Sequence, residues 1–446
     1  MIGLNKIGLN QVQLNLVQLN QLYLNTLCAC QKSSGGDGFP RLPGDVTRWS
    51  FKGLTNEMMS KNPRLEDADH KGRFLTFKNF AWSGMSGVNG YKFDFLANEW
   101  VINNDQVSEK YSYKIVINNK QNSVQLYNRI NLGHIKITLK ITGIEINKST
   151  FRVYDNVGTE YKQDYTKDGI YEIDYTANEG GNIIYFYVFG GNMGQLENPI
   201  TIEQLPLYPD ALVFDGVDDY GICENLPILT KEKGYTVVAL RHLLGNGGAM
   251  LSKRTINPES GAFVVDKDNN TVEYSYSFGT ATKVSINRNN PFVYQTSNSY
   301  MGQAISTGYT EDNSYIIVGA GLIDNSNSRI TEYTKCSIHE LVILDHDATE
   351  EELTKIKNYF IKTYPWLFFD QAWTVTGKTN EDEDRATIAN ITGNGNPTYD
   401  SRFYLGYGNN NYSKVAFKNL ATYVGRILSK EDAIKAYIYL QTLKAK

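Results

Sequence analysis

The chain has 446 residues, too many for one hydrophobic core, and its length indicates about two to four domains. Aromatic residues make up 12% of the chain, with 31 tyrosines, and charged residues only 21%, a balance typical of β-rich, exterior proteins. The formal net charge of −4, without a block of Lys and Arg, argues against nucleic acid as a partner, and the lack of a run of about 18 apolar residues argues against membrane insertion.

Residues 2–25 repeat a pattern of five residues, in which two apolar residues two positions apart are followed by Asn. A period of five fits neither the 3.6-residue period of a helix nor the two-residue period of a plain strand, so we expect an extended repeat structure. The first apolar position of the pentads holds Ile2, Ile7, Val12, Val17 and Leu22, and the second holds Leu4, Leu9, Leu14, Leu19 and Leu24.

The repeat contains one charged residue, Lys6, and has too few neighbours in sequence to bury two apolar residues per pentad. It can be covered by two identical chains around a three-fold axis, or by a shell protein. The alternative is a solenoid of the pentapeptide-repeat type, which the order of Leu before Asn disfavours. Such N-terminal repeats resemble the particle-anchoring ends of bacteriophage fibres, and we expect residues 1–27 to be an anchor. The N-terminus lacks a basic region followed by a continuous apolar core, so we expect no cleaved signal peptide.

Residues 28–45 are rich in Gly and Pro, as is typical of a linker, and the folded body is expected to start after them. From 46 to 119, short aromatic segments alternate with glycine-rich ones, and the period-two spacing of Tyr91, Phe93 and Phe95 is typical of strands. We interpret residues 46–119 as a small β unit of its own.

Residues 120–209 predict a separate antiparallel sandwich. Apolar and polar residues alternate strictly from Ile135 to Ile141, and Ile183 to Phe189 reads as a fully apolar closing strand. Strands spaced at roughly ten residues suit an immunoglobulin-like or carbohydrate-binding-module-like domain.

Residues 210–365 predict a second sandwich, opened by the stretch Ala211–Tyr220, where the dipeptide Asp215-Gly216 indicates the turn of a hairpin. The end of this region, after Thr349, shows the capping box of a helix with one apolar stripe. Two stretches resemble laminin-G-like or concanavalin-like jelly rolls. They are the Phe-Asp-Gly-Val-Asp-Asp-Tyr opening and the stretch from Cys336 to Phe360, which reads as a closing strand and a short helix. Residues 366–446 predict a last β unit with a closing helix.

Catalytic chemistry has little support in the sequence. Five histidines occur in no known constellation, the nucleophile and phosphate-loop motifs are absent, and the strand around Glu273 has no second carboxylate two residues away, as a glycosidase would need. We therefore expect a protein that is not an enzyme and has no cofactor.

Calcium is the more plausible small partner, because relatives of laminin-G-like modules often bind it at the sandwich rim through Asp and Asn oxygens. Asp215, Asp218 and Asp219 are the candidate ligands. In the alternative interpretation, Asp215 only makes the turn and the other two face water. Exposed Tyr and Trp on the sandwich faces suit stacking on sugars, but equally the core or a subunit interface.

Taken together, the resemblance is to modular fibre proteins of bacteriophages, in particular of crAss-like phages that infect Bacteroides. It implies a mainly β fold, with a laminin-G-like jelly roll, an immunoglobulin-like sandwich, an extended N-terminal repeat and short capping helices. It also implies a trimeric head or tail fibre or decoration subunit on the virion exterior, bound to capsid or tail proteins and contacting host surface glycans. A bacterial cell-surface adhesin and a concanavalin-like glycosidase are the second and third interpretations.

Overall fold

The structure, a computed structural model, describes residues 38–368 except for 103–106, 119–121, 129–132, 182, 227–228, 230–232, 254–262, 269–272, 278–281, 285, 287, 289, 306–315 and 323–329, together with 371–374, 389–390, 407–408, 411–412 and 419–422. The fold is mainly β, and its larger sheets are antiparallel and packed as sandwiches. The predicted fold class is confirmed. The N-terminal repeat, the region before residue 38 and the helix expected near the C-terminus lie outside the described residues.

The elements follow in chain order. Residues 46–88 contain β1 (Val46–Ser50), α1 (Asn56–Lys61), β2 (Arg64–Glu66), β3 (Phe74–Lys78) and β4 (Gly87–Val88). Residues 100–204 contain β5 (Trp100–Ile102), β6 (Glu109–Lys110), β7 (Lys114–Ile117), β8 (Ser123–Asn128), β9 (His134–Thr142), β10 (Thr150–Asp155), β11 (Gly158–Tyr165), β12 (Gly169–Thr176), β13 (Ile184–Phe189) and β14 (Ile200–Gln204).

The rest of the chain continues with β15 (Leu212–Asp215), β16 (Tyr220–Glu224), β17 (Thr236–Leu243), β18 (Gly248–Lys253), β19 (Phe263–Asp268), β20 (Glu273–Ser277), β21 (Thr282–Lys283), β22 (Phe292–Thr296), β23 (Ser299–Tyr300), β24 (Gln303–Ala304), β25 (Ile316–Val318), β26 (Gly321–Leu322), β27 (Ile330–Thr331) and β28 (Lys335–Leu344). After these come α2 (Glu350–Thr363), a 3-10 helix (Pro365–Leu367), β29 (Gln371–Thr374), β30 (Ala389–Asn390), β31 (Tyr407–Gly408), β32 (Asn411–Tyr412) and β33 (Asn419–Thr422).

The larger sandwich consists of two sheets. The first has the order β24-β23-β22-β17-β28-β15-β4, with β1 also paired to β28, and the second has the order β2-β3-β16-β25-β18-β19-β20-β21. Apolar side chains of both sheets form one core, including Trp49, Phe77, Val237, Leu251 and Leu341. We call this unit the large sandwich.

The smaller sandwich pairs β11-β10-β13-β8-β5 in one sheet and β12-β9-β14-β7-β6 in the other. Its core takes alternate residues from both sheets, as the strict alternation from Ile135 to Ile141 predicts, since successive side chains of a strand point to opposite faces. We call this unit the inserted sandwich, because it lies in the chain between β4 and β15 of the large sandwich.

The predicted small β unit of residues 46–119 is not a unit of its own. Its strands β1 to β4 pair within the large sandwich, and β5 to β7 pair within the inserted sandwich. The two connections between the sandwiches run side by side: the Asn89 N–H donates to the Ala211 carbonyl at 2.7 Å, and the Leu207 N–H donates to the Gly90 carbonyl at 2.9 Å. The inserted sandwich is therefore held by two hydrogen-bonded connections.

The predicted hairpin at Asp215-Gly216 is also corrected. β15 pairs with β28 in the first sheet, whereas β16 pairs with β3 and β25 in the second, so residues 216–219 form an arch between the two sheets. Gly216 has φ +80°, and a Cβ there would lie 2.8 Å from the backbone nitrogen of Lys335. An arch and a hairpin both need such a turn, which is why the local pattern did not distinguish them.

Helix α2 covers the outer face of the first sheet. The predicted capping box is confirmed: the Thr349 side chain accepts from the Glu352 N–H, and the Glu352 carboxylate accepts from the Thr349 N–H. Its apolar stripe, including Ile356 and Phe360, packs on Val342 and Leu344 of β28. Neither helix in the described part of the chain is long and apolar enough to cross a membrane.

Candidate functional site

The predicted anchoring positions, Ile2, Ile7, Val12, Val17 and the leucines at 4, 9, 14, 19 and 24, lie outside the described residues. Of the four cysteines, Cys223 and Cys336 are buried and form no disulfide. Cys28 and Cys30 also lie outside the described residues.

The arch brings the three predicted calcium ligands together, with one carboxylate oxygen each from Asp215, Asp218 and Asp219 within 4.8 Å of the others. Asp215 makes the turn, because its Oδ1 accepts from the Val217 N–H at 2.7 Å. Asp218 is exposed, but Asp219 is fully buried and does not face water.

The buried carboxylate of Asp219 closes the arch. Its Oδ1 accepts from the Ser86 hydroxyl at 2.9 Å, and its Oδ2 accepts from the Asp215 N–H at 2.9 Å. Calcium takes about six to eight oxygen ligands, and both oxygens of Asp219 already accept hydrogen bonds. These bonds give the cluster a structural role that needs no ion.

Burial raises the pKa of Asp219 to about 7, and the hydrogen bonds from Asp215 and Ser86 only partly offset it. An unfolded Asp titrates near pH ~3.9, so between that value and about pH 7 the unfolded chain loses the proton first, and stability falls as the pH rises. We expect Asp219→Asn to gain stability relative to the natural protein across this window and then to level off. Urea midpoints from about pH 4 to about pH 8 measure the difference; a difference independent of pH would contradict the expectation, and Asp218→Asn, at the exposed neighbour, is the control.

The histidines are distributed over separate places in the described part of the chain. Burial lowers the pKa of His339 to about 3 and that of His242 to about 4, so both rings are neutral, and they pack edge to face with centroids 5.7 Å apart. His339 is thus fully buried. The other four histidines lie within hydrogen-bond distance of a polar side chain: His70 of Glu66, His134 of Asp174, His242 of Ser337, and His346 of both Asp345 and Glu352.

A different surface is the strongest candidate for a functional site. On β8, β10 and β13, the residues between the buried ones point outward from the inserted sandwich. We call these nine outward positions the aromatic face: Ser123, Gln125, Tyr127, Thr150, Arg152, Tyr154, Tyr185, Tyr187 and Phe189. Five of the nine are aromatic, and none is aliphatic.

The register places the rings next to one another. Tyr185 of β13 lies opposite Tyr127 of β8 and Tyr154 of β10, with centroids 5.2 and 4.9 Å away. Along β13, Tyr187 stacks on Phe189 at 4.8 Å. Since stacked rings cover each other's faces, the surface presents ring edges and tyrosine hydroxyls.

Few of these tyrosine hydroxyls form hydrogen bonds within the described part of the protein. The Tyr154 hydroxyl accepts a hydrogen bond from the Gln125 amide. Within the described part of the chain, no hydrogen bond reaches the hydroxyls of Tyr127, Tyr185 and Tyr187. The aromatic face therefore combines apolar ring carbons with hydroxyl groups that are open to a ligand.

The opposite face of the same sandwich provides a comparison. The outward side chains of β9 and β12 include charged residues that form cross-strand pairs, such as Lys136 with Glu172 at 2.9 Å, and His134 lies 2.7 Å from Asp174. Such pairs are typical of a solvated surface. The contrast between the two faces marks the aromatic face as the specialised one.

Sequence reasoning missed the aromatic face because it interpreted β13 as apolar on both sides. Ile184, Phe186 and Val188 are buried in the core, but Tyr185, Tyr187 and Phe189 are only half-buried. The available signal was the alternation of this strand, in which tyrosine takes two of the three outward positions.

No protein-family model and no curated protein matches this chain. Among solved structures, it is similar to Trypanosoma rangeli sialidase in complex with sialic acid, at 11% identity and a TM-score of 0.24 over 67% of this chain and 68% of that one. It is also similar to a truncated AlyQ with CBM32 and alginate lyase domains, at 8% identity and a TM-score of 0.20 over 58% of this chain and 98% of that one.

Proposed function

We propose that this protein is a non-enzymatic attachment protein that binds glycan chains through the aromatic face. The observation that supports this best is the composition of the face, with five rings, four of them bearing a hydroxyl, and no aliphatic side chain at nine positions. A sugar also alternates C–H surface with hydroxyl groups, so it can contact the ring carbons while it exchanges hydrogen bonds with the tyrosines.

The size of the face favours a glycan over a second copy of the chain. The rings occupy three of the five strands of this sheet. Three strands about 4.8 Å apart and five residues of about 3.3 Å each give a ring-bearing patch of roughly 14 by 16 Å, or about 220 Å². A stable protein interface buries about 800 Å² on each partner. The patch is several-fold smaller than that.

Replacing Tyr187 at the centre of the face by alanine is expected to weaken glycan binding about tenfold or more, because central tyrosines contribute about 2 kcal/mol at binding surfaces. Binding of the full chain to immobilised polysaccharides measures the effect. The matched control is Tyr111→Ala, since Tyr111 is a 40% exposed tyrosine of the same sandwich that lies in the β6–β7 turn. Equal losses of glycan affinity in both variants would count against the aromatic face as the binding site.

We propose further that the protein is a trimeric fibre or decoration subunit on the exterior of a virion, anchored to capsid or tail proteins by residues 1–27. The pentad repeat supports this part, because its apolar residues need cover from sister chains or a shell. A bacterial surface adhesin is the second candidate, and the aromatic face would serve it equally well.

Deleting residues 1–27 is expected to leave a folded protein that no longer enters its particle, because the two sandwiches have their own cores. Sedimentation of assembled particles, followed by detection of the chain, measures incorporation. The control is the full chain with Tyr187→Ala, which should assemble normally. A truncated chain that still enters the particle would refute the anchor.

A further inference from the structure

The aromatic face has one charged residue, Arg152, and its surroundings indicate which charge a ligand can carry. Asp164 of the edge strand β11 lies opposite Arg152. The Arg152 Nε donates to Asp164 Oδ1 at 2.6 Å, and a terminal nitrogen donates to Oδ2 at 2.8 Å. Such a two-point pair is among the strongest hydrogen-bonded contacts between side chains.

The guanidinium is also held from the side of the rings. The Arg152 Cζ lies 4.6 Å from the centroid of Phe189, and the Arg152 side chain is only 13% exposed. On the edge strand β11, the Lys162 Nζ lies 3.6 Å from the same carboxylate of Asp164. Arg152 and Lys162 are therefore both already paired with a protein carboxylate.

We propose, on the basis of the proposed function, that the ligand of the aromatic face is an uncharged glycan chain of more than one sugar. An acidic glycan would have to displace Asp164 from Arg152, or accept its carboxylate as a like-charged neighbour. A neutral chain requires neither. It meets hydroxyls and ring edges, and the ion pair forms one border of the site.

The length of the face sets the lower limit on the ligand. The rings of β13 run from Tyr185 to Phe189, four residues or about 13 Å along the strand. This is longer than one sugar ring. A single sugar would therefore contact only part of the rings.

The test uses the full chain with two sets of immobilised polysaccharides, neutral ones (a glucan, a mannan and a xylan) and acidic ones (alginate, polygalacturonate and polysialic acid). We expect binding to at least one neutral polymer, with an affinity that changes less than twofold between about 50 and about 500 mM NaCl, because no ion pair to the ligand is screened. Monosaccharides of the bound polymer should compete at least tenfold more weakly than its oligosaccharides.

The outcomes separate this inference from the proposed function. Binding to acidic polymers alone, lost at high salt and lost in Tyr187→Ala, would overturn the inference and keep the glycan-binding function. Binding to neither set, or binding that Tyr187→Ala leaves unchanged, would overturn both.

A variant tests the role of the ion pair directly. Asp164→Ala frees the Arg152 guanidinium, and we expect it to gain at least tenfold in affinity for acidic polymers, with the gain lost at high salt. Asp164→Asn, which keeps the side-chain volume, should behave in the same way if the alanine variant folds poorly. Glu172→Ala, which removes the nearer of the two carboxylates that pair with Lys136 on the opposite face, is the control and should gain much less. An Asp164 variant with no gain would contradict the assignment.

Discussion

Replacing Glu340 by alanine is expected to lower the free energy of unfolding of the large sandwich by about 3–5 kcal/mol, the usual cost of breaking a buried ion pair from one side. Glu340 is fully buried, and its Oε2 accepts from Arg48 at 3.1 Å. Its Oε1 accepts from the hydroxyls of Tyr359 at 3.0 Å and Tyr364 at 2.8 Å. Alanine would leave a buried guanidinium and two buried hydroxyls without this acceptor.

The position of Glu340 on the outer face depends on a bulge in β28. On β17, Leu240 lies opposite Glu340 and Arg241 opposite Ile338, so His339 is the extra residue. Since Ile338 and Leu341 both point into the core, His339 and Glu340 both point outward. Burial raises the pKa of Glu340, and Arg48 with the two tyrosines acts in the opposite direction.

Urea denaturation measures the loss, and hydrogen exchange of the α2 amides shows whether the helix detaches first, because Tyr359 belongs to α2. The control is Glu57→Ala, which removes an exposed ion pair with Lys61 in the same sandwich and should cost much less, because solvent screens an exposed pair. Equal losses in the two variants would show that the buried network contributes nothing beyond an exposed pair.

Much of the fold could be predicted from the sequence, because its signals are local. The strict alternation in β9 identifies a strand with one buried face, and the capping box at Thr349 identifies the start of α2. Both depend on residues within about one turn or one strand of each other. Local signals of this kind survive in almost any tertiary arrangement.

The partners of the strands could not be predicted in the same way. β1 pairs with β28, with Val46 opposite Leu344, almost 300 positions away, and nothing near Val46 specifies that partner. The sequence of β1 to β7 therefore looked like a compact unit, although its strands belong to two sandwiches. Pairing at this distance is decided by the whole core and by the cost of closing long loops.

The candidate site was hidden for a related reason. Tyrosine can be counted as apolar, and β13 then reads as buried on both sides, but its hydroxyl lets it stand on a half-exposed surface. The residues that attracted attention as ligands, Asp215 and its neighbours, form an arch that their own hydrogen bonds account for. Asp266, in contrast, is a buried residue within β19 that no local sequence pattern marks.

Asp266→Ala is expected to destabilise the large sandwich by about 3–5 kcal/mol, because Arg241 would lose its carboxylate while it stays in the core. Both side chains are fully buried, and the Arg241 Nε donates to Asp266 Oδ2 at 2.7 Å. The Tyr300 hydroxyl donates to the other oxygen of Asp266.

Two further features raise the cost. The pair joins the two sheets, since Arg241 lies on β17 of the first sheet and Asp266 on β19 of the second. Asp266 also has φ 52°, a left-handed conformation that Asp and Asn tolerate better than alanine does. Asp266→Asn keeps that tolerance and removes the charge, so the difference between the two variants separates the backbone cost from the ion pair.

Urea denaturation of both variants measures the effect, with Asp69→Ala as the control, because Asp69 forms a partly exposed pair with Lys71 at 3.6 Å in the same sandwich. We expect that control to cost less than about 1 kcal/mol. The double variant Arg241→Met with Asp266→Asn should recover part of the loss, since no unpaired charge remains in the core. A double variant less stable than Asp266→Ala would mean that the sheets depend on the hydrogen bonds of Arg241 itself, such as the one to the Asn290 carbonyl at 2.9 Å, more than on the neutralisation of its charge.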